Sequence, residues 1–165
     1  MISKDTSVEK IMKMAEPCEQ CGKCCTYGSG CLINEDVQKM ASFMNITEEE
    51  LKNDYLEEVE IFNTKLLRPK FKKPYGRCVF LDADNTCKIH EAKPLQCKLC
   101  NPCSGVGEEL SEWFKLNFCV NTSNAESIRQ WAIYLEDNKT IQGGELKDLV
   151  PNNERLKKIL SFEEL

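Results

Sequence analysis

Cys18, Cys21, Cys24 and Cys25 put four thiols into the eight-residue segment Cys-Glu-Gln-Cys-Gly-Lys-Cys-Cys. Cys31, Cys78, Cys87, Cys97, Cys100, Cys103 and Cys119 follow, so a chain of 165 residues carries 11 cysteines. Packing a core does not call for vicinal and CxxC cysteines at this density. Metal chemistry does, because thiolates two residues apart on a turn reach one soft metal centre together.

Two CxxCxxC triads stand out: Cys18, Cys21, Cys24 and Cys97, Cys100, Cys103. Three thiolates at that spacing wrap three irons of a [4Fe–4S] cubane, and a distant cysteine supplies the fourth ligand. Neither triad is followed by the three residues and Cys-Pro of bacterial ferredoxins. Zinc is the rival, since Cys18/Cys21 with Cys97/Cys100, or with Cys78/Cys87, suffices for a tetrahedral four-thiolate site. His90 is the one histidine, which excludes any site needing two, and it is expected to be a partly buried strand residue rather than a ligand. The side chains of Cys24 and Cys25 are expected to diverge and serve different roles. Cys31 and Cys119 read equally as ligands or as small buried hydrophobes.

A disulfide framework competes with the metal reading. The N-terminal segment shows no apolar signal region and no apolar run is long enough to span a bilayer, so a reducing, cytoplasmic setting with free thiols is expected. Eleven is also odd, leaving a thiol unpaired. A net charge of −5 gives no footprint for nucleic acid. The basic run from Arg68 to Pro74 reads first as a solvated loop or edge strand, and second as a docking patch for an acidic partner.

The expected fold is α+β, mostly α: one metal-centred domain over 1–165, with helices around a cysteine-rich loop and a short β-hairpin. Helices are predicted for Thr6 to Ala15, opened by a Thr6/Glu9 capping box, and for Asn34 to Met44, with Val37, Met40, Ala41 and Met44 inward. A third starts at the Thr47/Glu50 box and carries Leu51, Tyr55 and Val59 inward. Arg77–Leu81 and Thr86–His90 read as a hairpin around Asp82–Asn85 with Cys78 and Cys87 facing, and Glu60–Leu67 as a further strand. Pro94 suits the first turn of a short helix bearing Cys97. Glu108–Phe118, a helix opened by Ser123/Glu126 and Asn153–Leu160 complete the set.

Together these residues resemble the CxxCxxCC family, proteins associated with zinc or iron chelation. Its opening pattern, CxxCGxCC, is met at Cys18, Cys21, Gly22, Cys24 and Cys25; a later stretch is met from Cys78-Val-Phe-Leu81 through Cys87-Lys-Ile-His-Glu91, Pro94 and Cys97. The resemblance spans about 16–120, leaving 121–165 as a helical extension, and implies that Cys119 matches a later family cysteine. His90 stands where the family usually has Tyr. Lys93 and Lys98 replace arginines, and Cys31, Cys100 and Cys103 are extra. The extra thiols complete the second triad and turn the reading toward iron–sulfur.

The leading expectation is therefore an iron–sulfur protein with one or two [4Fe–4S] clusters, working in electron transfer or cluster handling with a protein partner, away from nucleic acid and membrane. Its ligands come from Cys18, Cys21, Cys24, Cys25, Cys78, Cys87, Cys97, Cys100, Cys103 and Cys119. Lys23, Arg77 and Lys98, beside those cysteines, would offset cluster charge. The alternative is a zinc-stabilised interaction module. A less favoured one is an enzyme, since some family members are flagellin lysine N-methylases. Those are longer, however, and no nucleotide loop, P-loop or CxxxCxxC triad is present here.

Overall fold

The computed structural model describes residues 1–72 and 76–165; of the basic run, Lys73 and Pro74 lie outside the described residues. Helix α1 (Val8–Met14) is capped by Ser7, whose Oγ accepts from the Lys10 N–H at 3.4 Å. Thr6, the predicted start, is engaged elsewhere: its Oγ1 accepts from the Ser3 N–H at 3.0 Å and its carbonyl accepts from Trp113 Nε1 at 2.9 Å. A short α2 (Lys23–Tyr27) carries Cys24 and Cys25. Helix α3 (Asn34–Met44) runs as predicted, burying Val37, Met40 and Ala41.

The predicted third helix is cut short. Thr47 and Glu50 do form their capping box (Glu50 N–H to Thr47 Oγ1, 3.1 Å), but α4 covers only Glu48–Glu50. A wide π-type turn, Leu51–Tyr55, follows, and the chain is extended from Leu56. Strands β1 (Leu56–Ile61) and β2 (Thr64–Pro69) pair antiparallel, Leu56 against Pro69 and Ile61 against Thr64. Phe62 and Asn63 make the two-residue turn with φ of 48° and 55°, the positive-φ pair that a right-twisted hairpin requires. This is the regular hairpin of the described residues. The predicted one is looser: Cys78 bridges to Phe71 and Leu81 to Cys87 in isolated pairs, without a continuous ladder.

A 3₁₀ turn (His90–Ala92) leads into α5 (Leu95–Leu99), the short helix bearing Cys97. Helix α6 (Gly107–Phe114) continues as a π turn through Lys115–Cys119. Helix α7 (Ala125–Asp137) is capped by Asn124 rather than Ser123 (Ser127 N–H to Asn124 Oδ1, 2.8 Å). Helices α8 (Leu146–Leu149) and α9 (Asn153–Leu160) end the chain. The architecture is, among the described residues, mostly α with one small hairpin. Among the described residues no helix is long and apolar enough to cross a membrane.

Three apolar clusters hold these elements. One joins α3 to Leu51, Leu56, Phe80, Leu81 and Ile89. A second joins Ile2 and Ile11 to Leu95, Leu99, Leu110, Trp113 and Phe114. The third packs α7, α8 and α9 around Trp131. Basic residues of the run after β1 are engaged within the chain: Arg68 pairs with Glu57 at 2.9 Å, Lys70 Nζ donates to the Asn53 carbonyl and Lys72 Nζ to the Leu81 carbonyl, both at 2.6 Å.

Candidate metal centre

Cys18, Cys21, Cys24, Cys25, Cys78, Cys87, Cys97 and Cys100 line one cavity of about 230 Å³. Thiols from three separate segments therefore meet. Gly22 makes the first turn possible: its φ of 73° is left-handed, and a β-carbon there would come within 3.0 Å of the Asn85 side chain. That turn starts α2 and sets Cys24 and Cys25 against the middle segment, where the Cys78 N–H donates to the Cys25 carbonyl at 2.8 Å.

The third segment arrives on α5, and Asp36 fixes it. This carboxylate is 3% exposed. Its Oδ2 accepts from the Ile33 N–H (2.9 Å) at the start of α3 and from the Leu95 N–H (3.0 Å) at the start of α5. Gly30 lies so close that a β-carbon would sit 2.5 Å from Cys97 Sγ. Gln96 Oε1 accepts from the Cys31 N–H, and Asn101 Nδ2 donates to the Pro17 carbonyl at 3.3 Å, tying the second triad to the approach of the first.

The vicinal thiols do not diverge as expected. Cys24 Sγ and Cys25 Sγ are 3.9 Å apart, about the ~3.8 Å sulfur–sulfur edge of a tetrahedron built on ~2.3 Å metal–sulfur bonds. The Cys25 thiol, hydrogen-bonded to Cys24, brings Cys24 down to about 6, and Cys25 itself is raised as the proton holder. Burial pushes Cys78, Cys87, Cys97 and Cys100 up, and neighbouring thiolates add to the rise at each. Such a set ionises together only around a cation. Among the described residues no three Cys, His, Asp or Glu side chains converge as a preformed one-ion site; the donors stand around a space.

The remaining thiols do not line the cavity. Cys31 and Cys119, 3% and 0% exposed, belong to the second apolar cluster, where burial raises them to about 11 and about 12. Cys103 is exposed and lies beside Cys21, with Glu19 and Lys23 nearby. Of the expected cations, Lys23 is thus near Cys103, Arg77 donates to Asn85 Oδ1 at 2.9 Å, and Lys98 is half-buried on α5. Among the described residues Lys93 is the cation on the cavity wall, and its charge favours the Cys24 and Cys87 thiolates. Sequence reasoning assigned it no site role, although its place between Cys87 and Cys97 was a usable signal. Asp36, Gly30 and Asn101 left no such signal, because each acts on a partner distant in sequence. His90 also lines the cavity, on a 3₁₀ turn and not a strand; burial, then Lys93, lower it, so its imidazole is neutral at pH 7.

Comparison with family models matches residues 17–120 to one described as a "Putative zinc- or iron-chelating domain". None of the curated proteins and none of the solved structures matches the chain.

Proposed function

Because this chain belongs to the CxxCxxCC family and is a metal-binding protein, we propose that its metal is iron, bound as one or two [4Fe–4S] clusters for electron transfer or cluster handling with a protein partner in the cytoplasm. The observation that carries this is the gathering of eight thiols around a single cavity of about 230 Å³. One water needs only ~10–15 Å³ of such space, and a lone tetrahedral zinc fills the centre of its own ligands. A roomy, thiol-walled space suits a multinuclear group.

The donor set fits. The eight cavity thiols include more than the four that one cubane takes. When bound, the cluster supplies one-electron transfer. The chain does the rest: Phe80, Leu81, Ile89, Pro69 and Pro94 wall the cavity with apolar surface, which limits water, while Lys93 offsets negative charge. Because burial raises most of these thiols, loading releases protons and strengthens as pH rises.

Zinc is the second reading, favoured by one count: eight thiols make two complete four-thiolate sites. Anaerobic purification separates the two. Brown protein with matching iron and sulfide supports the cluster, whereas colourless protein with about two zinc per chain, the content of two four-thiolate sites, replaces it. Cluster number follows from the Cys100→Ser, Cys103→Ser double variant. A loss of about four irons, one cubane, marks a cluster held by the second triad, and unchanged iron marks one shared by the other thiols.

A further inference from the structure

The two edges of the β1–β2 hairpin are treated differently. On β2 the outward edge is covered: the Leu67 carbonyl accepts from the Leu32 N–H at 2.8 Å and the Pro69 carbonyl from Ser29 Oγ at 2.8 Å. Pro69 has no N–H to leave open. Because Leu67 turns its main-chain groups outward, Glu58 opposite it does the same on β1, and so does Glu60 two residues along. Among the described residues no main-chain group of Glu58 or Glu60 has a hydrogen-bond partner on that side, and both residues are exposed. The edge carries no lysine, no proline and no bulge; its blunting charges are Glu57, Glu58 and Glu60, all acidic. Arg68 pairs with Glu57 and Lys65 with Glu58, which leaves Glu60 without an ion pair among the described residues. Like charges set opposite each other repel, so this edge rejects a second copy of itself and accepts a strand that bears cations.

We propose that the outer edge of β1 is the docking site of the protein partner, which adds an extended, lysine- or arginine-bearing segment as a third strand. The inference rests on the reading that the chain works with a protein partner, and it names how that partner is held. The open N–H and C=O groups of Glu58 and Glu60 pair with the segment's main chain. Its cationic side chains meet the Glu58 and Glu60 carboxylates, which share one face of the strand. On the other face Val59 and Ile61 pack against the second apolar cluster, so the edge is held in place before a partner arrives and little ordering cost falls on docking.

The probe is the peptide Lys-Val-Lys-Val-Lys-Val, titrated at low salt into ¹⁵N-labelled protein. The expected result is a saturable shift of the Glu58 and Glu60 amide resonances, with slower hydrogen exchange at both, weakened in about 0.5 M salt where charge attraction is screened. Glu60→Pro removes one outward donor and leaves the ladder to β2 intact. It should bind roughly two- to tenfold more weakly than Glu60→Gln, the worth of one hydrogen bond. The Tm of free Glu60→Pro protein checks its fold, and the wild-type amides decide alone if it is lost. Unmoved Glu58 and Glu60 amides, or equal binding of Glu-Val-Glu-Val-Glu-Val, overturn the inference. Photocrosslinkers at Glu58 and at Tyr27, which is 90% exposed beyond Cys25, test the partner reading separately in cell extract. A product at Glu58 that the lysine–valine peptide competes away supports the inference. Products at Tyr27 with none at Glu58 overturn it and leave the partner standing, and no product at either position removes both.

Discussion

Replacing Asp36 with alanine is the sharpest test of how the second cysteine segment is held. The change removes a carboxylate that is 3% exposed and accepts two backbone N–H groups, from Ile33 and Leu95. A buried donor left unpaired costs about 1–3 kcal/mol. The Leu95 N–H is buried and loses the full amount; Ile33 is half-buried and recovers part of it from water. Together the loss is about 2–5 kcal/mol. For a domain of this size that is a fall of roughly 4–20 °C in Tm. Thermal unfolding followed by circular dichroism under anaerobic conditions measures it. Asp36→Asn keeps one acceptor oxygen and lies between the two. Because α5 carries Cys97, the alanine variant also yields its metal to chelator sooner. A loss below about 1 kcal/mol, the lower bound for one orphaned donor, with unchanged metal retention, would refute the claim that this carboxylate joins α3 to α5.

Gly30→Ala places a methyl 2.5 Å from Cys97 Sγ and 2.8 Å from Cys97 N; overpacking of about 1–3 kcal/mol and weaker metal retention in chelator competition are expected, while Gly105→Ala, with nothing within 4 Å, is the neutral control. Cys31 and Cys119, raised from 9.0 to about 11 and about 12 in the fold, bind protons more tightly folded than unfolded. Their contribution is complete below about pH 9 and lost as pH climbs toward 11–12, each tenfold gain in proton affinity on folding being worth about 1.4 kcal/mol. Urea unfolding of wild type should therefore weaken from pH 8 to 10.5 more than that of a Cys31→Ala, Cys119→Ala variant, and equal slopes would contradict this. Metal removal should deprotect residues 16–31 and 76–103 in hydrogen exchange before the helices around Trp131, because isolated bridges and not ladders order the middle segment; equal protection with and without metal would count against it.

What the sequence made legible was local. CxxCxxCC spacing announced a thiol centre because the ligand interval is a property of one turn, and α3 followed from apolar periodicity. The hairpin was misplaced because its turn is Phe62-Asn63, a pair without the usual Asn-Gly signature. Phe62 tolerates its left-handed backbone because its ring packs edge-on against Trp131 and Tyr134, at 5.1 and 5.5 Å between centroids, a tertiary reward that no local pattern encodes. The same blindness hid the helix cut at Leu56, where pairing with Pro69 overrides the Thr47 helical register. Among the site residues, spacing alone could not separate Cys97 and Cys100, on the cavity wall, from Cys103 at the surface, nor foresee that Cys119 sits in the apolar core.

The ring of Phe62 has a consequence for where this molecule ends as a physical object. The family match stops at residue 120, yet Phe62, inside it, is covered by Trp131 and Tyr134, outside it. Leu116, also inside, belongs to the same apolar cluster as Ile128, Val150 and Ile159. A chain cut after residue 120 would bare this seam and strip Phe62 of both its edge-on aromatic partners, leaving its ring only the second apolar cluster to pack against. Heredity and mechanics thus draw different borders: the segment shared by descent is shorter than the segment that can stand as a folded body.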